Sequence, residues 1–394
     1  MNQRMYGLGS KRSVIREIFE FGKKRAQEVG AENVYDFSLG NPSVNPPQQV
    51  EDVLTQLLRE ENPTALHGYT SAQGDLTVRR AISDYITKTH GVPCDPDYIY
   101  MTCGAAASLV ISLSAVCEEG DEVITFAPYF TEYKVFAETA GAKLVALASE
   151  PDTFQIDFNL LEKSVGAKTA AVLVNSPNNP SGVVYSEETI RKLADLLRRK
   201  SAETGRTIYL VTDEPYRELV YGGVKVPYLT AYYKDTIVCY SYSKSLSLPG
   251  ERIGYIFVNP QADRAKEIYL AVCGAGRAHG YVCAPSLFQK MIARCQGITS
   301  DVSVYEKNRD LLVGALRGYG FRCVQPDGAF YLFVKSPEQD ANAFCERAKK
   351  YDLLLVPGDD FGCPGYVRIA YCVSPEMIKR SLPAFEKLAG EYSL

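Results

Sequence analysis

A lysine just past an apolar run, flanked by serines and followed eight residues later by an arginine, can do imine chemistry beside a phosphate. The stretch is Ser241-Tyr-Ser243-Lys244-Ser-Leu-Ser-Leu-Pro-Gly-Glu-Arg252-Ile-Gly-Tyr255, and it follows Thr236-Ile-Val-Cys-Tyr240. β-Branched and aromatic residues mark that run as a buried strand. Lys244 then supplies an amine able to condense with a carbonyl. Ser241, Ser243 and Arg252 supply hydroxyls and a planar cation to a phosphate. A phosphorylated aldehyde bound covalently to lysine meets both demands, and pyridoxal phosphate (PLP) is such a group. Ser-x-Ser-Lys is short, however, and a solvated loop lysine satisfies the same spacing.

Further candidates lie at other apolar runs. Thr207-Ile-Tyr-Leu-Val-Thr-Asp213-Glu-Pro-Tyr216 is apolar up to its aspartate. A buried carboxylate needs a cation or strong hydrogen bonds, and a protonated pyridine ring is one such partner. The plainer alternative is a helix N-cap, which Asp before Glu-Pro also suits. Val174-Asn-Ser-Pro-Asn178-Asn179-Pro-Ser-Gly182 places two X-Pro steps after another buried run, holding Asn178 and Asn179 in a restricted loop. An ordinary turn accounts for its composition; an amide aimed at a ring oxygen accounts for its position. Met101-Thr-Cys-Gly104-Ala105-Ala106 reads as strand, glycine turn and helix start, where free N–H groups face an anion.

The elements that must position these groups are those of an α/β protein. Strand candidates recur at 98–102, 122–126, 170–175, 208–212, 236–240 and 254–258, with helices predicted at 105–117, 131–140 and 187–203. Near-continuous apolar strands separated by helices imply a mostly parallel sheet covered on both faces. After a long helical region, 261–319, the stretches 328–334 and 366–371 read as strands flanked by helices near 339–350 and 375–390. This is a smaller α+β unit, with which a helix at 13–29 is expected to pack. The expected organisation is therefore 1–45 with the small unit, 46–290 as the large cofactor-binding unit, and 291–394 as the small unit itself.

Composition narrows the function classes. The chain has 394 residues, a net charge of −4 and 46% hydrophobic residues, which suits a soluble globular protein and gives no electrostatic reason to expect nucleic acid or membrane. No apolar run reaches the roughly 18 residues of a membrane span, and the N-terminus lacks a signal core. Eleven cysteines without a Cys-x-x-Cys pair indicate neither a disulfide framework nor a zinc site, and a reducing cytoplasm is expected.

Taken together, these motifs resemble the class I and II aminotransferases of the fold-type-I PLP enzymes, from Leu39-Gly40-Asn-Pro to Arg368, in that family's order and spacing. The resemblance implies that Lys244 is the Schiff-base lysine. It pairs Asp213 with the pyridine nitrogen and places Tyr216 and Asn179 on the ring's phenolic oxygen. Ser241, Ser243, Arg252 and the backbone of Ala105 and Ala106 would hold the phosphate, and Phe130 would stack on the ring. Arg368 would clamp the substrate α-carboxylate, assisted by Asn179 and the backbone at Gly40. Tyr69, in His67-Gly-Tyr69-Thr-Ser-Ala-Gln-Gly74, would reach the partner's phosphate across a homodimer with shared active sites.

The reaction so implied is ping-pong transfer of an amino group between an L-amino acid and a 2-oxo acid, 2-oxoglutarate the expected acceptor, with Lys244 moving the proton. The chain also departs from the family. It has no tryptophan to stack on the ring, and Ala106 stands where an aspartate-specific branch carries a lysine. Arg277 lies near the place of another branch's side-chain-reading arginine, but its spacing to Pro285 is off by about one residue. A solvated or structural role stands against that reading. His67 and His279 are expected to pack against apolar neighbours, and Phe330 and Tyr331 to be core. Two other classes share the constellation. Aminotransferase-like regulators would need a DNA-binding unit and basic excess, which are lacking. C–S lyases use the same lysine and electron sink, and only an assay separates them.

Overall fold

The computed structural model describes residues 1–10 and 13–392. A short strand, β1 (Tyr35–Asp36), precedes seven that form the large sheet: β2 (Ile99–Thr102), β3 (Glu122–Ala127), β4 (Lys143–Ala148), β5 (Thr169–Asn175), β6 (Tyr209–Asp213), β7 (Thr236–Ser241) and β8 (Gly254–Val258). Their order is β2-β8-β7-β6-β5-β3-β4. From β4 across to β7 every neighbouring pair is parallel, and β8 runs antiparallel to both β7 and β2. The sheet is thus mostly parallel, as expected. Its edge strand β4 is an addition to the predicted set: its half-exposed pattern lacks the continuous apolar run of the inner strands.

Strand alternation builds a core on each face. On one face Val123, Leu173, Val211, Ile237 and Ile256 pack against the apolar helix Ala105–Val116 and the helix Ala265–Ala278. On the other face Ile124, Phe126, Val172, Val174 and Leu210 meet the Glu187–Thr204 helix, whose buried residues include Ile190, Leu193 and Leu197. Ser186 caps that helix by accepting from Thr189 N, and two acidic residues fill its first turn. Strand direction then locates chemistry. The parallel strands release the chain at one edge, after Asn175, Asp213 and Ser241.

β8 begins at that same edge, because it runs antiparallel to β7. Its first residue, Gly254, pairs with Ser241 of β7 and with Thr102 of β2, so Arg252, two residues earlier, lands beside the start of the Ala105–Val116 helix. A Cβ on Gly254 would overlap the Tyr240 carbonyl oxygen and press on Gly104 Cα at 3.1 Å.

The remaining strands are β9 (Tyr331–Lys335), β10 (Leu353–Leu354), β11 (Val356–Pro357) and β12 (Tyr366–Ala370). β11, β12 and β9 form a three-stranded antiparallel sheet, and β1 pairs parallel with β10. The helix Val14–Val29 adjoins this region: Arg25 Nε donates to Asp352 at 2.6 Å, and Ile18 packs with Leu354, Val356 and Phe361. No helix among the described residues is long and apolar enough to cross a membrane. All eleven cysteines are free thiols.

Gly254→Ala should destabilise the protein by about 1–3 kcal/mol through overpacking against fixed backbone. Gly250→Ala, with nothing within 4 Å of its added Cβ, is the control and should change stability by about 0.5 kcal/mol or less. Urea unfolding of both variants checks the contrast.

Candidate active site

A cavity of about 300 Å³ opens at the strand-end edge. Gly40, Ala105, Ala106, Phe130, Asn179, Asp213, Tyr216, Ser241, Ser243, Lys244, Arg252 and Arg368 all line it. Of the residues that the resemblance assigned to the site, all are gathered there except Tyr69, which is 99% exposed in its own chain.

Lys244 sits on a single helical turn, Tyr242–Ser245, that begins where β7 ends. Its Nζ donates to Gly40 O at 2.8 Å. Burial, with smaller contributions from Arg252 and Arg368, pulls the amine down to about 8. Ser241 Oγ caps the turn by accepting from Ser243 N and lies 2.6 Å from Ser243 Oγ. Arg252 Nη1 donates to Pro249 O at 2.9 Å and reaches Ser243 Oγ at 3.5 Å. These hydroxyls, this guanidinium and the free N–H groups of Ala105 and Ala106 make a cradle suited to a phosphate.

Asp213 ends β6, and no helix follows it, so the N-cap alternative is set aside. It is 4% exposed. Tyr133 donates to its Oδ2 at 2.6 Å, and Asn175 Nδ2 holds its carbonyl at 2.9 Å. Its Oδ1 is buried without a hydrogen-bond partner among the described residues. Burial pushes the carboxyl up to about 7, against the opposing effect of the Tyr133 hydrogen bond. Such an atom fits a protonated ring nitrogen. The turn after it is held by a buried pair, Arg217 Nε to Glu214 Oε2 at 2.5 Å, and by Arg217 donating to the carbonyls of Val226 and Pro227.

Arg368 is also buried rather than a surface charge, although it lies on β12. Nη2 donates to Ser38 O at 2.6 Å and Nη1 to Asn179 Oδ1 at 3.1 Å, while Nε has no partner among the described residues. Burial draws its pKa below the ordinary guanidinium value. The two asparagines of the restricted loop divide their work. Asn178 Oδ1 accepts from Ser181 and shapes the turn, whereas Asn179 faces Arg368.

Other expectations need correction. Tyr331 is buried, but it lines the cavity as well as the core, and its hydroxyl lies 3.1 Å from that of Tyr216. His67 is exposed, and His279 is held by Ser114 Oγ at 2.8 Å, so neither is an apolar-packed histidine. Arg277 is exposed in the last turn of its helix and does not line the cavity of its own subunit. Tyr133, Asn175 and Ile15 contribute to the site without having been singled out for it.

The chain is similar to proteins already known. A family model described as aminotransferase class I and II matches residues 32–385. The aspartate aminotransferase of Pyrococcus horikoshii is 29% identical, over 97% of this chain and 96% of its own. The aromatic-amino-acid aminotransferase 2 of Thermococcus litoralis is 27% identical over 97% of both. Among solved structures, an amino transferase from Eubacterium rectale superposes with a TM-score of 0.99 at 59% identity, covering 100% of this chain and 99% of that one. The aspartate aminotransferase of Thermotoga maritima gives 0.87 at 27% identity, covering 98% and 99%.

The raised carboxyl has a thermodynamic signature. Folded Asp213 binds its proton up to about pH 7, whereas the unfolded residue releases it near the ordinary carboxylate value. Between those limits the folded state holds more protons, so this group's contribution to stability falls as pH rises. In cofactor-free protein, Asp213→Asn should therefore gain stability relative to the parent by roughly 2–4 kcal/mol more at pH 8 than at pH 4. Urea unfolding at the two pH values measures it, and a pH-independent difference would remove the buried-charge penalty.

Proposed function

The chain belongs to the class I and II aminotransferases and uses pyridoxal 5′-phosphate, and we propose that it moves an amino group from an L-amino acid to a 2-oxo acid in two half-reactions, with 2-oxoglutarate as acceptor. The observation that carries this reading is the unpartnered Asp213 Oδ1 in the same cavity as a desolvated lysine amine and a desolvated arginine. Each is costly alone. A ring cation, a carbonyl and a carboxylate supply the three partners they need.

When bound, the cofactor supplies an electron sink that stores the amino group between half-reactions. Ser241, Ser243, Arg252 and the N–H groups of Ala105 and Ala106 hold its phosphate, and Phe130 covers the ring. Asp213 keeps a proton on the ring nitrogen, with Tyr133 fixing its other oxygen. Tyr216 and Asn179 donate toward the ring's phenolic oxygen. Lys244, with its amine near pH 8, is partly uncharged at neutral pH, so it can attack a carbonyl and afterwards carry a proton from the substrate Cα. Arg368 receives the α-carboxylate and orients that Cα–H bond.

The groups that line the site come from different parts of the chain. Gly40 and Arg368 lie in the proposed units 1–45 and 291–394, and the cofactor cradle lies in the proposed unit 46–290. Closing the small unit on the large one would complete the clamp and expel water.

Arg368→Lys keeps the charge and loses the planar fork, so kcat/KM should fall about tenfold or more for every amino acid alike. A loss confined to acidic substrates would instead make Arg368 a side-chain reader. The same assay, with 2-oxoglutarate as acceptor, should yield glutamate, and the protein should release no pyruvate from cystathionine.

The proposed assembly is a homodimer. Tyr69 is 99% exposed, with Tyr281 at 39% and Val282 at 45%; Cys283 Sγ meets Thr70 O at 3.3 Å, so these side chains share one face. A tyrosine with so little cover in its own chain suits a role in its neighbour's site. Tyr69→Ala and Lys244→Ala subunits, each inactive and able to exchange, should regain partial activity on mixing, because one heterodimer site is intact. Failure to recover activity under verified exchange would overturn the shared site.

A further inference from the structure

Tyr331 joins two parts of the site that the proposed function treats separately. It is 3% exposed and belongs to β9. Its hydroxyl lies 3.1 Å from the hydroxyl of Tyr216, with the two rings edge to face at 82°. The Arg368 guanidinium lies over its ring, Cζ 4.7 Å from the centroid. Its hydroxyl also occupies the space into which a Cβ on Gly40 would project, so only glycine lets that segment approach. Gly40 O is the acceptor for Lys244, and Ser38 O the acceptor for Arg368. One side chain therefore touches the carboxylate clamp, the segment that receives the lysine, and the tyrosine expected at the ring oxygen.

Each phenol has a single proton to donate. If Tyr216 spends its proton on the cofactor's ring oxygen, the bond between the tyrosines must run from Tyr331 to Tyr216. A donor behind a donor polarises it and strengthens its bond. We infer that Tyr331 is a positioning residue: its hydroxyl holds Tyr216 in the donating direction, and its ring holds the Arg368 guanidinium through a cation–π contact. This rests on the reading of Tyr216 and Arg368 above and extends it to a residue that touches both.

Ring and hydroxyl can be separated. Tyr331→Phe keeps the ring and removes the proton; Tyr331→Leu removes both. The readout is the visible absorbance of the cofactor-loaded protein titrated with pH, together with KM. Stabilising the ring oxygen's anion lowers the titration midpoint, so Tyr331→Phe should raise it by roughly 0.5 pH unit. Its KM should stay within about threefold of the parent. Tyr331→Leu should raise the midpoint similarly and KM about tenfold for every amino acid.

The decisive comparison uses Tyr216→Phe as background. There, adding Tyr331→Phe should move the midpoint no further, because the effect runs through Tyr216. A further shift of the same size in that background would overturn the inference, as would a midpoint in Tyr331→Phe equal to the parent's. Failure of the underlying reading looks different: no visible band that depends on Lys244, in any of these proteins.

Discussion

Desolvated charge is the constraint on which the rest of this structure depends. Asp213 and Arg368 are both buried, and each keeps one polar atom with no partner among the described residues. Stripping water from an ionised group is costly unless opposite charge or hydrogen bonds replace it. The protein supplies only part of that replacement. Tyr133 serves one oxygen of Asp213, while Ser38 O and Asn179 Oδ1 serve two nitrogens of Arg368. What is left over is complementary to a cation at one place and an anion at the other. Affinity and stability are thus in tension at the same atoms, as is common where a fold carries function.

Sheet direction turns this constraint into a site. Parallel strands deliver Asn175, Asp213 and Ser241 to a single edge. A sheet that stayed parallel through β8 would have carried Arg252 to the opposite edge. Reversal of β8 instead keeps the guanidinium at that edge, against Ser243 and the start of the Ala105–Val116 helix. The close approach of three backbones around Gly254 is the steric condition for that arrangement.

Much of this was legible in the sequence because it depends on local pattern. Inner strands buried on both faces read as apolar runs, so Lys244, Asp213 and Arg252 stood out just past their ends, while the choice of Asn179 over Asn178 came from the family resemblance. The edge strand β4 escaped because one of its sides faces solvent and its apolar run is interrupted. Tyr331 was hidden for the opposite reason. Inside Phe330-Tyr-Leu-Phe-Val334 it looks like core, and only the fold brings its hydroxyl to Tyr216 and its ring beneath Arg368. Tyr133 shares that history, since a tyrosine on an apolar helix face reveals nothing of the carboxylate beneath it until β6 is docked. The sequence likewise offered no way to tell that Arg277 stays exposed and off the cavity lining, because helix phase at a terminal turn is set by packing.

The contact between Arg368 and Ser38 O spans 330 residues of chain. β1 and β10 likewise join residues 35–36 to 353–354. During synthesis the strands from Ile99 to Val258 have all emerged well before β12 exists, so the cluster of Ser241, Ser243, Lys244 and Arg252 can form on a chain that still lacks Arg368. Domains fold largely as units in order of emergence, and such distant pairings are late to close. A growing chain therefore gathers the strand-end cluster around Lys244 first and gains Arg368 last. Truncation anywhere before Arg368 leaves Lys244 in a cavity stripped of its one buried guanidinium on β12.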